Sequence, residues 1–268
     1  MRDWPYPFWI AHRGAGMLAP ENTLAAFRAG AAYGYRSFEC DVQLSSDGVP
    51  FLMHDARLER TTCAEGVAGE KPWSVLARMD AGSRHSRTYA GEPLPSLEAV
   101  ARYVRRNGFA LNIEIKAEPA AAAHVGLRVA QEVSRMWQGD PFPPLLSSFQ
   151  PDALTGVRTA DARAPCALLL DRFRDGWFET ARSLDCIAVV TDYEMMDAAL
   201  IARLHGAGLR GLVYTVNDSA EAQRVIQLGV DGVITDAIDM FAPTAGVASH
   251  TWATTSHGCA VSSINRNS

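Results

Sequence analysis

The chain has 268 residues, enough to bury a large core and few enough to be one barrel domain. Hydrophobic residues make up 48%, and 25 Lys plus Arg stand against 30 Asp plus Glu, a formal net charge of -5. This mild acidic excess excludes a nucleic-acid footprint but leaves room for a local basic pocket that takes a small anion.

Short apolar runs alternate with stretches of helical periodicity. Phe8 to Ala11 reads as a strand, and Asn22 as the N-cap of a helix reaching Ala32, with Leu24, Phe27 and Ala31 at helical spacing. Phe38 to Leu44 reads as a second strand, which Asp47-Gly48 turns into the run Pro50 to Met53. Residues 56–95 are less regular and too long for an ordinary loop, with a short helix expected near Ser74 to Met79. Ser96 then caps a helix over Leu97 to Arg106, with Glu98 in its first turn.

The rhythm is steadier from there. Strands are predicted at Ala110 to Ile115, Leu145 to Phe149, Ala167 to Leu170, Ile187 to Val190, Gly211 to Val216 and Gly232 to Thr235. Helices fall between them at Ala120 to Met136, Pro151 to Thr159, Gly176 to Ser183, Met195 to His205 and Ser219 to Leu228. Counting the Pro50 run with the second unit gives eight strands alternating with helices, the pattern of a closed (β/α)8 TIM barrel. An open doubly wound sheet is the rival, but Gly14-Ala15-Gly16 lacks the remaining spacing of a dinucleotide fingerprint. The barrel domain is placed at 1–242, with residues 56–95 as a small insertion near its C-terminal face. Residues 243–268, rich in Ala, Gly, Ser and Thr, read as a flexible tail.

The five cysteines have no metal-ligand spacing and read as reduced thiols of a cytoplasmic protein. No segment reaches 18 apolar residues and the start carries no signal-like run, so neither a membrane span nor an export signal is expected.

The chemistry concentrates early. Glu39 and Asp41 alternate on one predicted strand and share a face, where like charges are costly to bury without a cation. Glu114, between Asn112 and Lys116 on another strand, supplies a third carboxylate. A hard divalent ion, Mg²⁺ or Ca²⁺, satisfies such an oxygen set, whereas a salt bridge or an exposed strand edge is the plain alternative. His12 and His54 each follow a strand and suit a general acid and a general base. Arg13 offers a fork of donors to a phosphate, and Lys116 a charge to an anionic substrate group. Cys40 lies between the two carboxylates, hence on the opposite, buried face.

Taken in order, these residues resemble the glycerophosphodiester phosphodiesterase family. The match runs through His12-Arg13-Gly14, Pro20-Glu21-Asn22-Thr23, Glu39-Cys40-Asp41-Val42, His54-Asp55, Arg60-Thr61-Thr62, Pro95-Ser96-Leu97-Glu98, Asn112-Ile113-Glu114-Ile115-Lys116, Thr215-Val216-Asn217 and Asp231-Gly232-Val233-Ile234-Thr235-Asp236. The resemblance implies metal-dependent hydrolysis of small glycerophosphodiesters to sn-glycerol 3-phosphate and an alcohol. Glu39, Asp41 and Glu114 match the metal-binding positions, His12 the base, His54 the acid, and Arg13 and Lys116 the phosphate contacts. Tyr214 departs from the pattern: it stands where a tryptophan is common and implies an altered substrate wall. Two other readings stay open at this point, a related barrel lyase acting on lysophospholipids and a non-catalytic anion-binding barrel. All five acidic and imidazole side chains should meet at the C-terminal rim of the barrel.

Overall fold

A computed structural model describes residues 4–241 and residue 243; the segment read as a tail lies otherwise outside the described residues. Among the described residues nine strands form one sheet: β1 (Trp9–Ala11), β2 (Ser37–Leu44), β3 (Pro50–Leu52), β4 (Ala110–Ile115), β5 (Leu145–Ser148), β6 (Cys166–Leu170), β7 (Ala188–Asp192), β8 (Arg210–Tyr214) and β9 (Gly232–Thr235). Their order is β1-β9-β8-β7-β6-β5-β4-β2-β3, and a further β1–β2 pairing closes the ring. β3 runs antiparallel to β2 and hangs outside that closure, whereas the remaining pairs are parallel. Eight parallel strands therefore close the barrel, as the strand–helix rhythm implies.

Helices cover the outside: α1 (Leu24–Ala32), the one-turn α2 (Trp73–Leu76), α3 (Leu97–Arg106), α4 (Ala122–Met136), α5 (Pro151–Ala160), α6 (Trp177–Ser183), α7 (Ala198–Gly206) and α8 (Ser219–Leu228). The sequence reading misplaces one cap. Thr23, not Asn22, caps α1, accepting a hydrogen bond from the Ala26 amide, while Asn22 sits at φ 59°. Asn22 is diverted because its amide side chain engages Asp41. Similarly, α7 starts after Asp197 rather than at Met195, since that carboxylate accepts from the Leu200 amide.

Strand periodicity separates two apolar layers. Ile10, Leu145, Ala167, Leu169, Ala188, Val190, Leu212 and Ile234 fill the barrel interior, with Tyr6 packed against them. Phe38, Cys40, Val42, Leu111, Ile113 and Ile115 face the helices instead. Phe38 lies 5.3 Å from both Phe27 and Phe109 by ring centroid. Fully burying a phenylalanine of this kind contributes about 1.5–3 kcal/mol. The alternation leaves Glu39, Asp41, Asn112 and Glu114 on the inner face. Register sets Glu39 beside Asn112 and Asp41 beside Glu114.

The stretch between β3 and α3 has its own apolar cluster of Phe51, Met53, Leu58, Ala68, Leu76, Ala81 and Leu94. It is fastened to α1 where Glu92 accepts a hydrogen bond from the Ala25 amide, 2.9 Å. Among the described residues no helix is long and apolar enough to cross a membrane.

Cys40, Cys166 and Cys186 are buried, and Cys63 is exposed. Burial holds Cys40 well above the ordinary thiol value and pushes Cys166 up to about 11 and Cys186 up to about 12. Because the thiolate is the reactive form, a chain carrying Cys63→Ser and Cys259→Ser is expected to resist an aromatic disulfide reagent until it is unfolded. Prompt thiol release from the native double variant would contradict this packing.

Candidate active site

The site begins where β1 ends. His12, Arg13 and Gly14 form one 3-10 turn directly after β1, with Arg13 at φ 51°. Gly16 follows at φ 55°, and a side chain there would meet the Asp236 backbone at 2.1 Å, so glycine is needed to seat this turn on the end of β9. That seating delivers His12 to Asp236. The His12 Nδ1–Asp236 Oδ1 distance is 2.6 Å, and Asn217 Nδ2 donates to the other oxygen of Asp236 at 3.0 Å. An ionised carboxylate only accepts, so Nδ1 carries the proton and Nε2 is left facing the carboxylates, 3.8 Å from Glu39.

Glu39, Asp41 and Glu114 lie together. One oxygen from each can be chosen so that all are within 4.8 Å of one another. Glu39 and Asp41 are 3% and 1% exposed, a costly place for two carboxylates. Glu39 Oε1 is buried without a hydrogen-bond partner. Burial and the neighbouring charge of Asp41 push Glu39 up to about 8. Burial also opposes ionisation of Asp41, but Lys116, Arg13 and the Asn22 hydrogen bond outweigh it and lower its pKa. Glu114 is raised by burial and by Asp41, against the pull of Lys116. An orphaned carboxylate oxygen inside an all-oxygen cluster fits a hard divalent cation. The chain thus carries a candidate divalent-metal cluster.

Two cations face this cluster. Lys116 Nζ stands 2.7 Å from Glu114 Oε1 and 3.4 Å from Asp41 Oδ1. Arg13 Nε is 3.3 Å from Asp41, its Nη1 donates to Glu21 at 2.9 Å, and its amide donates to Glu39 at 3.1 Å. Lys116 also hovers 5.9 Å over the ring of Phe149, which meets Tyr214 edge-on at 5.9 Å. Tyr214 donates its hydroxyl to the Leu170 carbonyl, 3.1 Å, which fixes its ring.

His54 arrives from the end of β3. Gln43, two residues beyond Asp41 on the same strand face, donates to the carbonyls of Met53, His54 and Asp55 and fixes this loop. His54 Nδ1 is 2.7 Å from Asp55 Oδ1, and the imidazole faces the charges of Asp41, Lys116 and Arg13. Burial lowers its pKa beyond what Asp41 and Asp55 restore. For His12 burial works the same way, but the Asp236 hydrogen bond and Glu39 prevail and raise it.

Every side chain singled out in the sequence therefore lies at one end of the barrel, around a single charged cluster. The supporting residues Glu21, Gln43, Asp55, Arg60, Asn217 and Asp236 have no role assigned from sequence, and Asn22 has only that of a helix cap. For Gln43 the signal was available, as the third member of the 39, 41, 43 alternation; the rest reach the site through loops.

Comparison with known proteins decides the family. Residues 12–240 match the model of the glycerophosphoryl diester phosphodiesterase family. The chain belongs to that family. It is 32% identical over 240 residues to YhdW of Bacillus subtilis, covering 86% of this chain and 94% of that protein. It is 28% identical over 227 residues to the glycerophosphodiester phosphodiesterase of Caldanaerobacter subterraneus subsp. tengcongensis, covering 85% and 93%. Among solved structures, an Oleispira antarctica phosphodiesterase in complex with the product sn-glycerol-3-phosphate superposes with a TM-score of 0.83 at 30% identity. That match covers 88% of this chain and 95% of the other. As a member of this family the chain is a phosphoric diester hydrolase built on a TIM barrel.

Proposed function

We propose that the chain hydrolyses small glycerophosphodiesters to sn-glycerol 3-phosphate and an alcohol, using His12 and His54 as an acid–base pair. The observation that carries this reading is the pair of imidazole–carboxylate contacts flanking one charged cluster: His12 on Asp236 at 2.6 Å and His54 on Asp55 at 2.7 Å. Each contact directs an Nε2 away from its carboxylate partner. The likeness to a relative holding sn-glycerol 3-phosphate supports the substrate class.

Glu39, Asp41 and Glu114 would hold Mg²⁺ or Ca²⁺, the choice favoured by an all-oxygen donor set. When bound, such an ion neutralises non-bridging phosphate charge as it grows in the transition state. Arg13 and Lys116, which face the same carboxylates, would bind the phosphate oxygens. His12 Nε2 takes the proton of the attacking hydroxyl, and Asp236 holds the imidazolium that results. His54 Nε2 protonates the oxygen of the departing alcohol. The pKa directions, up for His12 and down for His54, run against these roles. An ion held by Glu39 would oppose the upward pull on His12, and a phosphate beside His54 would oppose the downward one. Tyr214 and Phe149 would form the wall along the alcohol.

We further propose that residues 56–95 are an insertion of this catalytic barrel, on the strength of their separate apolar cluster. Cytoplasmic residence is proposed from the free thiols Cys40, Cys63, Cys166 and Cys186.

The attacking group we favour is the glycerol hydroxyl next to the phosphorylated carbon, since the substrate skeleton already holds it near phosphorus. Glycerophosphoethanolamine and its analogue with that hydroxyl replaced by hydrogen should both bind. Only the first should release ethanolamine at speed under Mg²⁺ or Ca²⁺. Equal turnover, with no cyclic phosphate visible by phosphorus NMR, would instead favour direct attack by water. No release of ethanolamine from the parent diester would overturn the functional reading itself.

A further inference from the structure

Arg13 follows β1 and His54 follows β3, yet one arginine from outside the barrel joins them. Arg60 places Nε 2.6 Å from Asp55 Oδ2 and Nη2 3.0 Å from Asp55 Oδ1. The same guanidinium places Nη1 2.6 Å from Glu21 Oε2 and Nη2 2.8 Å from Glu21 Oε1. Glu21 Oε1 then accepts from Arg13 Nη1 at 2.9 Å, and Asp55 Oδ1 meets His54 Nδ1 at 2.7 Å. The result is an unbroken ladder, Arg13–Glu21–Arg60–Asp55–His54. A planar fork that engages two carboxylates, each through two nitrogens, fixes direction as well as distance.

The backbone beneath Arg60 is anchored. Leu58 and Thr62 on either side are fully buried, the Thr62 amide and hydroxyl both donate to the Leu58 carbonyl, and Arg84 Nε donates to the Thr62 carbonyl. The Arg60 side chain itself is 47% exposed. Ion pairs that open to water contribute little to stability, so a purely structural purpose explains the ladder poorly.

We infer that Arg60 is a positioning residue, through which the segment after His54 aligns the leaving-group imidazole on one arm and the phosphate-binding guanidinium on the other. This rests on the functional reading above. In the step concerned, the bond from phosphorus to the leaving oxygen breaks as that oxygen takes the proton from His54 Nε2. Meanwhile the new bond from the attacking oxygen forms, and its proton passes to His12. Without Arg60, Asp55 is free to rotate and His54 loses its aim, which matters most when the leaving alcohol is too basic to depart unprotonated.

Leaving-group dependence separates the arms. Glycerophosphoethanolamine, whose alkoxide needs the proton, is compared with glycerol p-nitrophenyl phosphate, whose phenolate does not. Arg60→Ala is expected to lose at least about tenfold more kcat on the ethanolamine ester than on the nitrophenyl ester. Arg60→Lys should restore little of it, because a point charge cannot bridge both carboxylates in this way. Glu21→Gln, which weakens the Arg13 arm but leaves Asp55 on Arg60, should weaken both esters to a similar degree. A thermal melt of Arg60→Ala close to that of the parent chain establishes that the fold survives. Equal losses on the two esters in Arg60→Ala, or full rescue by lysine, would overturn the inference while the functional reading stands. A parent chain inactive on both esters would remove the reading and the inference together.

Discussion

His12→Ala is expected to lower turnover of a glycerophosphodiester by about 10²–10⁴-fold while leaving divalent-cation affinity close to that of the parent chain. The imidazole is 3.8 Å from Glu39 and fastened to Asp236, so it borders the carboxylate cluster without being one of its three oxygen donors. His54→Ala should show a loss of the same order on an alkyl ester. The two variants part on the nitrophenyl ester: His54→Ala should recover much of its rate, since a phenolate departs without help, whereas His12→Ala should not. Calorimetric cation titrations beside stopped-flow rates make the comparison. Near-parental rates in both variants would remove the acid–base pair. Recovery in His12→Ala instead of His54→Ala would exchange the two roles.

Why the sequence discloses these residues but not their supports follows from the geometry of strands. Glu39, Asp41 and Glu114 are legible because a two-residue period puts alternate side chains on one face, and the barrel turns that face inward. Ile113 and Ile115 confirm the period by packing under the helices. His12 and His54 are legible as strand-end residues. The loop-borne partners are another matter. Asp236 lies 224 residues from His12, and Arg60 lies 39 from Glu21. Nothing in local spacing announces such pairs, which depend on ring closure between β1 and β9 and on the fold of the 56–95 stretch. Asn22 shows the same limit in reverse. Local preference makes it a helix cap, but its amide is worth more between the Asp41 amide and carboxylate, and Thr23 takes the cap. The fold class, by contrast, is a property of the repeating rhythm, and short excursions such as the β3 hairpin do not disturb it.

The carboxylate cluster should also reveal itself through stability. Glu39 has an ordinary pKa of 4.5 and is held up to about 8 in the folded, metal-free chain, chiefly by burial and then by Asp41. Below pH 4.5 the residue is protonated whether the chain is folded or not, and stability is unaffected by it. Between 4.5 and 8 the unfolded chain releases a proton that the folded chain retains, so metal-free stability falls as pH rises and levels off above the folded value. Glu39→Gln removes this drain. In chelator at pH 8 the variant should therefore melt above the parent chain, by about 2–4 °C for each kcal/mol recovered in a domain of this size. Near pH 4.5 the difference should shrink toward nothing. Adding Mg²⁺ or Ca²⁺ narrows the gap, because a cation needs the ionised carboxylate that glutamine lacks. At about 100 times its dissociation constant a bound ion stabilises the parent chain by about 2.7 kcal/mol, a rise of roughly 5–10 °C, and the variant should gain far less. Scanning calorimetry at the two pH values, with and without cation, tests both halves. A Glu39→Gln chain that melts below the parent in chelator at pH 8 would show that the buried carboxylate is satisfied without a metal, and an equal cation-induced rise in both chains would place the ion somewhere else.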